Sequence, residues 1–82
     1  MTKEITKKTY NKNKPSFVFC HNYTRNTYMN FYEFNDNIFY CEFHNSFGFT
    51  YLKVSKDDFS KHFVDCYNFY LDFFKSFSLG GV

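Results

Sequence analysis

Four side chains have the types and spacing of a zinc site: Cys41 and His44, three residues apart, and His62 and Cys66, one helical turn apart. Zinc takes thiolate and imidazole in fours, and a helix does bring positions i and i+4 together. The first pair argues against such a site. Residues three apart in a strand point to opposite faces, so Cys41 and His44 diverge. The three cysteines, Cys20, Cys41 and Cys66, are read instead as reduced thiols, an odd number without framework spacing, of a kind that packs as small apolar groups. No metal and no cofactor is expected. Catalytic arrangements are sparser still. Cys20 and His21 are neighbours facing apart, and His62 with Asp58 is an ordinary i,i+4 helix-surface pair. The chain has no glycine-rich phosphate loop, His-Glu-x-x-His or nucleophile elbow, so it is not expected to be an enzyme.

What the sequence does carry is aromatic surface. Fourteen Phe and eight Tyr stand in 82 residues, with no Ala, Gln or Trp. Phe, Tyr, Asn and Lys fill about half of the chain. Their codons are rich in A and T, so an AT-rich genome accounts for their abundance but not for their placement. A chain of this length folds as one small domain whose core needs large side chains. The net charge of +2, with both signs interspersed, is neither a strong nucleic-acid footprint nor an acidic mimic of one. The opening residues have no apolar signal region, and no window approaches a bilayer span. A cytoplasmic protein with no membrane partner is expected.

The elements that would position these side chains follow in order. Residues 1–15 hold five lysines against Glu4 and end at Pro15, and are expected to be a flexible arm, with an edge strand near Ile5 at most. Residues 16–79 form a single domain, and 80–82 a tail. Strands are predicted over 16–22, 38–44 and 47–54. The stretch 27–34 suits a strand by its aromatics, or a helix by the stripe Tyr28, Phe31 and Tyr32. Asn35-Asp36-Asn37 and Asn45-Ser46 are turns. Ser55 with Asp58 makes a capping pattern, opening one long helix from Lys56 to Phe77 that Gly80-Gly81 stops. The fold class is α+β, a four-stranded antiparallel meander with one C-terminal helix across one face, β-β-β-β-α.

Alternation assigns the faces. Val18, Cys20, Met29, Phe31, Phe39, Cys41, Phe43, Thr50, Leu52 and Val54 are expected beneath the helix. The other face, with Phe19, His21, Tyr23, Tyr28, Tyr32, Tyr40, His44, Phe49 and Tyr51, is expected outside. A monomer seldom leaves so large an aromatic face bare. It becomes the candidate partner surface, with Tyr23, Tyr28, Tyr32, Tyr40, Phe49 and Tyr51 as anchors and Arg25, His44 and Lys53 at the rim. The arm or a second copy covering that face is the competing expectation. The helix carries an apolar arc of roughly 220°, about twice the usual stripe, so Val64, Phe69 and Leu71 form a candidate self-association edge.

The expected function is a small non-enzymatic module that binds a protein partner. Size and composition suit a phage or mobile-element inhibitor that occupies a host enzyme or a nucleic-acid-processing defence complex. Single-stranded RNA or DNA binding on the same face is the alternative, and a self-associating structural homodimer the second. For the nucleic-acid alternative there is a resemblance. Val18-Phe19-Cys20-His21-Asn22-Tyr23 resembles the shorter signature of the RNA-recognition motif, and Phe47-Gly48-Phe49-Thr50-Tyr51-Leu52 is similar to its longer one. The resemblance implies base stacking on Phe19, Phe47 and Phe49. The basic-Gly opening of the longer signature is Asn45-Ser46 here.

Overall fold

The structure, a computed structural model, describes the backbone of residues 1–14, 19–34 and 37–80, and side chains within that range as far as Phe73. Its elements are β1 (Thr2–Ile5), α1 (Lys7–Asn13), β2 (Phe19–Thr24), β3 (Thr27–Glu33), β4 (Ile38–Asn45), β5 (Gly48–Ser55), α2 (Lys56–His62) and α3 (Val64–Gly80). The strands form one antiparallel sheet in the order β1-β5-β4-β3-β2. The class is α+β, as the sequence implies. Among the described residues the element count differs, with five strands and three helices in place of four strands and one.

The central meander follows its turn chemistry. β4 and β5 are joined through Ser46 and Phe47, with Asn45 opposite Gly48. The Asn45 side chain accepts the Phe47 N–H at 2.8 Å. Gly48 takes φ +130°, a conformation that suits only glycine, so β5 starts one residue later than the aromatic run suggests. The stretch that could have been helix is β3, paired on both sides, Phe31 lying opposite Phe19 and Cys41. Two ladders of backbone bonds and cross-strand rings outweigh a helical stripe of three residues. The turn expected at Asn35-Asp36 lies outside the described residues, as do Phe17 and Val18.

The lysine-rich opening is not an arm. β1 pairs with β5, Thr2 opposite Val54 and Ile5 opposite Tyr51. Thr6 then caps α1, its hydroxyl accepting the Thr9 N–H at 3.1 Å. Tyr10 is the residue that α1 buries. One ring anchors seven helical residues, and the lysines around it stay in water. A segment with so little apolar content reads as solvated from composition, because the anchoring partners lie far away in sequence.

The long helix is two. Ser55 caps α2 by accepting the Asp58 N–H at 3.3 Å, as the capping pattern predicts. Asp57 and Asp58 stand at the positive end of α2, Lys61 and His62 at its negative end. At Phe63 the backbone turns to φ −123°, ψ 54°, while its N–H still closes on the Phe59 carbonyl at 3.0 Å. α3 restarts at Val64. No Gly or Pro marks the break, so it is imposed by packing. Phe59 lies against Phe31 and Phe39, whereas Cys66 and Tyr70 on α3 reach toward β2 and β3.

The layer beneath α2 and α3 is the main core: Met29, Phe31, Phe39, Cys41, Val54, Phe59, Cys66 and Tyr70. Phe39 and Phe59 stack at 4.1 Å between ring centroids and 11° between planes. The face assignment therefore holds for β3, β4 and β5. It fails for β2. Phe19 stacks on Phe31 at 5.5 Å, and the Tyr23 hydroxyl meets Cys66 Sγ at 2.8 Å, so Phe19, His21 and Tyr23 point toward the helices and Cys20 away from them. Cross-strand partners share a face, and the pairing of Phe19 with Phe31 fixes which one. A bulge between Asn22 and Thr24 sets that pairing before the turn. Under α3 the edge strand also needs rings long enough to touch the helix, which a cysteine is not.

Candidate functional site

On the far side of the sheet Tyr10 closes a second cluster with Tyr32 and Tyr40, packed around by Ile5, Ile38 and Tyr51. Tyr32 and Tyr40 lie opposite each other and stack at 5.6 Å, and Tyr10 tilts onto Tyr51 at 5.2 Å. Burial raises the pKa of Tyr10, Tyr32 and Tyr51 above the ordinary phenol value, with the Glu42 carboxylate adding to it for Tyr10 and Tyr51, and Tyr40 for Tyr32. The Tyr32 hydroxyl is shut from solvent with no hydrogen-bond partner among the described residues. α1 thus covers the half of this face that holds the end of β3 and the start of β4.

The other half is open. Tyr28, His44 and Phe49 are direct cross-strand neighbours on β3, β4 and β5. Their rings follow one another at 4.8 Å and 4.4 Å, and Phe49 continues to Tyr51 at 6.4 Å. This row ends at the β4–β5 turn, where Phe47 is 96% exposed and Phe49 50%. His44 Nδ1 is shielded inside the row and has no hydrogen-bond partner among the described residues. Alternating strands bring the turn bearing Arg25 to the same end of the sheet. Lys53 lies toward the opposite end, facing Tyr40 on one side and Lys3 on the other.

The residues singled out from sequence are therefore divided among three places. Tyr28, His44 and Phe49 come together in the open row, with Arg25 near its end. Tyr32 and Tyr40 are buried beneath Tyr10, with Tyr51 half-buried beside them, so these three are covered. Tyr23 belongs to the helix side, where burial first, and then its bond to Cys66, raises its pKa. Val64, Phe69 and Leu71 are exposed on α3, with Phe69 near the His21 ring at 5.8 Å. Two residues that matter are absent from the protein-partner set, Phe47 being named only for base stacking through the resemblance and Tyr10 not at all. Phe47 reads as the start of a strand until the glycine shift places it on the turn. Tyr10 is a lone ring among lysines, and its three-residue distance from Lys7 and four-residue distance from Lys14 give no apolar stripe.

Cys41 and His44 lie on opposite faces of β4, Cys41 in the main core and His44 in the open row. Among the described residues no group of three or more His, Cys, Asp or Glu is placed to hold a metal ion. Cys66 donates toward Met29 Sδ at 3.8 Å, and burial pushes its thiol up to about 11, the Tyr23 hydroxyl opposing. Buried Cys41 is likewise raised. Such thiols resist becoming the thiolate that nucleophilic or metal chemistry uses.

The comparisons with known proteins return nothing. No family model, no curated protein and no solved structure matches the chain. Of the three rings that the RNA-recognition resemblance assigns to base stacking, Phe47 and Phe49 are open, while Phe19 is turned into the helix-covered layer. Residues 27–33, where that family has helix, are strand. Among the described residues no helix is long and apolar enough to cross a membrane.

Proposed function

We propose that the protein is a non-enzymatic binding module whose contact surface is the open end of the sheet, where the aromatic row of Tyr28, His44 and Phe49 and the exposed Phe47 on the adjoining turn meet a protein partner. The observation that carries this reading is Phe47, at 96% exposure next to half-exposed Phe49. An exposed ring at a hairpin tip gains nothing from the fold, whereas at the centre of an interface a buried ring is a typical anchor. The unpaired His44 Nδ1 supports it, because a shielded polar atom left unsatisfied costs stability that a surface with no task need not bear.

A protein partner fits this row better than a nucleic acid does. Base stacking works with cations along the strand path. Here Glu42 lies in the row next to Tyr51, Arg25 is the one cation on the neighbouring turn, and Lys3, Lys53 and the exposed lysines of α1 sit toward the other end. The finer role, an inhibitor from a phage or mobile element that occupies a host enzyme or defence complex in the cytoplasm, is drawn from size and base composition.

The test compares the wild-type chain with a Phe47→Ser, Phe49→Ser double variant in affinity capture with quantitative mass spectrometry. Both changes lie on the surface, so the fold should survive. A protein captured by the wild type and depleted at least tenfold with the variant is expected. Equal capture by both chains overturns the reading. Recovery of nucleic acid instead, lost steeply as salt is raised, would favour the stacking alternative.

A further inference from the structure

At the end of the sheet away from Phe47 the register brings two lysines together. Lys3 on β1 lies directly opposite Lys53 on β5, which in turn lies opposite Tyr40 on β4, so both lysines belong to the face that α1 partly covers. Like charges directly opposite each other cost stability. Lys3 is accounted for by its edge strand, where a lysine keeps further strands from pairing. Lys53 is not, because β5 is flanked on its two sides by β1 and β4. It is half-buried, and among the described residues neither lysine has an ion pair. The ion pair at this end of the sheet joins the Met1 ammonium to Asp58 instead.

The two lysines border a cavity of about 310 Å³, lined with them by Met1, Ile38 and Ser55. One row further along the same strands Ile38 lies opposite Ser55, whose N–H is bonded to the Met1 carbonyl at 2.8 Å, so Ile38 and Met1 give the cavity its apolar wall. The Ser55 hydroxyl accepts from the Asp58 N–H and from the Met1 ammonium, which leaves its own proton to donate. A neighbouring recess of about 300 Å³ shares Ser55 and is lined by Asn37, Lys56 and Asp57, so a carboxylate accompanies the ammonium there. The uncompensated charge is in the first cavity.

We propose that this cavity binds a small phosphate monoester with an apolar body, its phosphoryl group set between Lys3 and Lys53 within reach of the Ser55 hydroxyl and its body against Ile38 and Met1. A phosphoryl group matches two cations and a donor because it carries roughly two negative charges and three strong acceptor oxygens near neutral pH, whereas a carboxylate carries a single charge. Lysine binds phosphate as a point charge and needs no fixed fork. The volume stands at the lower end for small-molecule pockets, which are mostly apolar with a few placed polar groups, so a single ring or a short chain is the body it takes. The site lies at the opposite end of the sheet from Phe47 and Phe49, and it does not depend on what the open row binds.

Phenyl phosphate is the probe, followed by two-dimensional NMR of the isotope-labelled chain. Saturable shifts should concentrate at Lys3, Ile38, Lys53 and Ser55, with a dissociation constant of about 1 mM or tighter. Inorganic phosphate, which lacks the body, and benzoate, which lacks the second charge, should each bind roughly fivefold more weakly or worse. Lys3→Gln combined with Lys53→Gln should weaken phenyl phosphate by about tenfold or more. Lys7→Gln combined with Lys8→Gln makes the same change in charge on α1, where neither residue lines the cavity, and should leave the affinity unchanged. Without ligand, Lys53→Gln relieves the repulsion and should not lower the thermal midpoint, which shows that the variant is folded. Absence of saturable shifts, an affinity untouched by the Lys3 and Lys53 changes, or an equal loss from the Lys7 and Lys8 changes would each overturn the proposal. So would inorganic phosphate or benzoate binding as tightly as phenyl phosphate.

Discussion

The two faces of the sheet are sealed by different means. Under α2 and α3 the layer joins three Phe to Met, Val, two Cys and Tyr70, its rings locked at 4.1 Å and 5.2 Å around Phe59. On the other face the sealed part is three tyrosines, Tyr10, Tyr32 and Tyr40, held down by a seven-residue helix through one buried ring. The remainder of that face is an open row. In that first layer the hydroxyls, of Tyr23 and Tyr70, are tied to Cys66 and Glu33, so it is closed with its polar tips bonded. A tyrosine layer tolerates a wet margin, because each ring offers apolar area with a polar tip. The first face therefore carries most of the stability, and the second divides into a lightly closed half and a half free for contact.

Removing a central ring from each face separates them most sharply. Phe59→Ala deletes a fully buried side chain between Phe31 and Phe39, and should cost about 3–5 kcal/mol in urea denaturation, a large part of the stability of a domain this small. Tyr10→Ala should cost less, about 2 kcal/mol, because α1 can lift away while the sheet persists. It should also raise cleavage by protease within residues 1–14 without loss of the main transition. An equal loss for both variants would mean that the two faces melt as one unit.

Alkaline titration comes next. A buried thiol or phenol whose folded pKa is raised holds its proton more tightly when folded. Its stabilising effect is complete below the unfolded value and is lost as pH rises through the folded one. For Cys66 that window runs from the ordinary 9.0 to about 11. Tyr10, Tyr23 and Tyr32 extend it upward from 10.0. Thermal midpoints should hold up to about pH 9 and then fall. In a spectrophotometric titration these three tyrosines should ionise only with unfolding.

The sequence disclosed much of this and misled in specific places. Alternation along β3, β4 and β5 sorted Met29, Phe31, Phe39, Cys41, Leu52 and Val54 correctly, because period-two patterning is a property of the strand itself. The Ser55 cap was legible for the same reason, being local. β2 was placed on the wrong face because its orientation is set by pairing and a bulge, and Cys20 resembles a core residue more than His21 does. The breadth of the helical arc was visible in the sequence, yet the break at Phe63 was not, since it answers to rings distant in sequence. The aromatic row was half visible. Tyr28, His44 and Phe49 lay in the alternating set, but which tyrosines stay open depends on Tyr10, a contact across some twenty to forty residues that no local pattern announces.

The smallest expected effects have opposite signs on the two faces. Tyr32→Phe removes a buried hydroxyl with no partner and should leave stability unchanged or raise it by up to about 1 kcal/mol. Tyr23→Phe removes the bond to Cys66 and should cost about 1 kcal/mol. Two losses of similar size would indicate that the Tyr32 hydroxyl is satisfied in solution, and so that the layer under α1 admits water.

Hydroxyl-radical footprinting read by mass spectrometry tests the division of the second face most directly, because each ring reports its own contact with water. Phe47 and Phe49 should be oxidised rapidly, while Tyr10, Tyr32 and Tyr40 should be protected to the level of Phe31 and Phe39 in the main core. Oxidation of Tyr10 and Tyr40 as fast as Phe49 would contradict the covering by α1 and make the whole tyrosine face open.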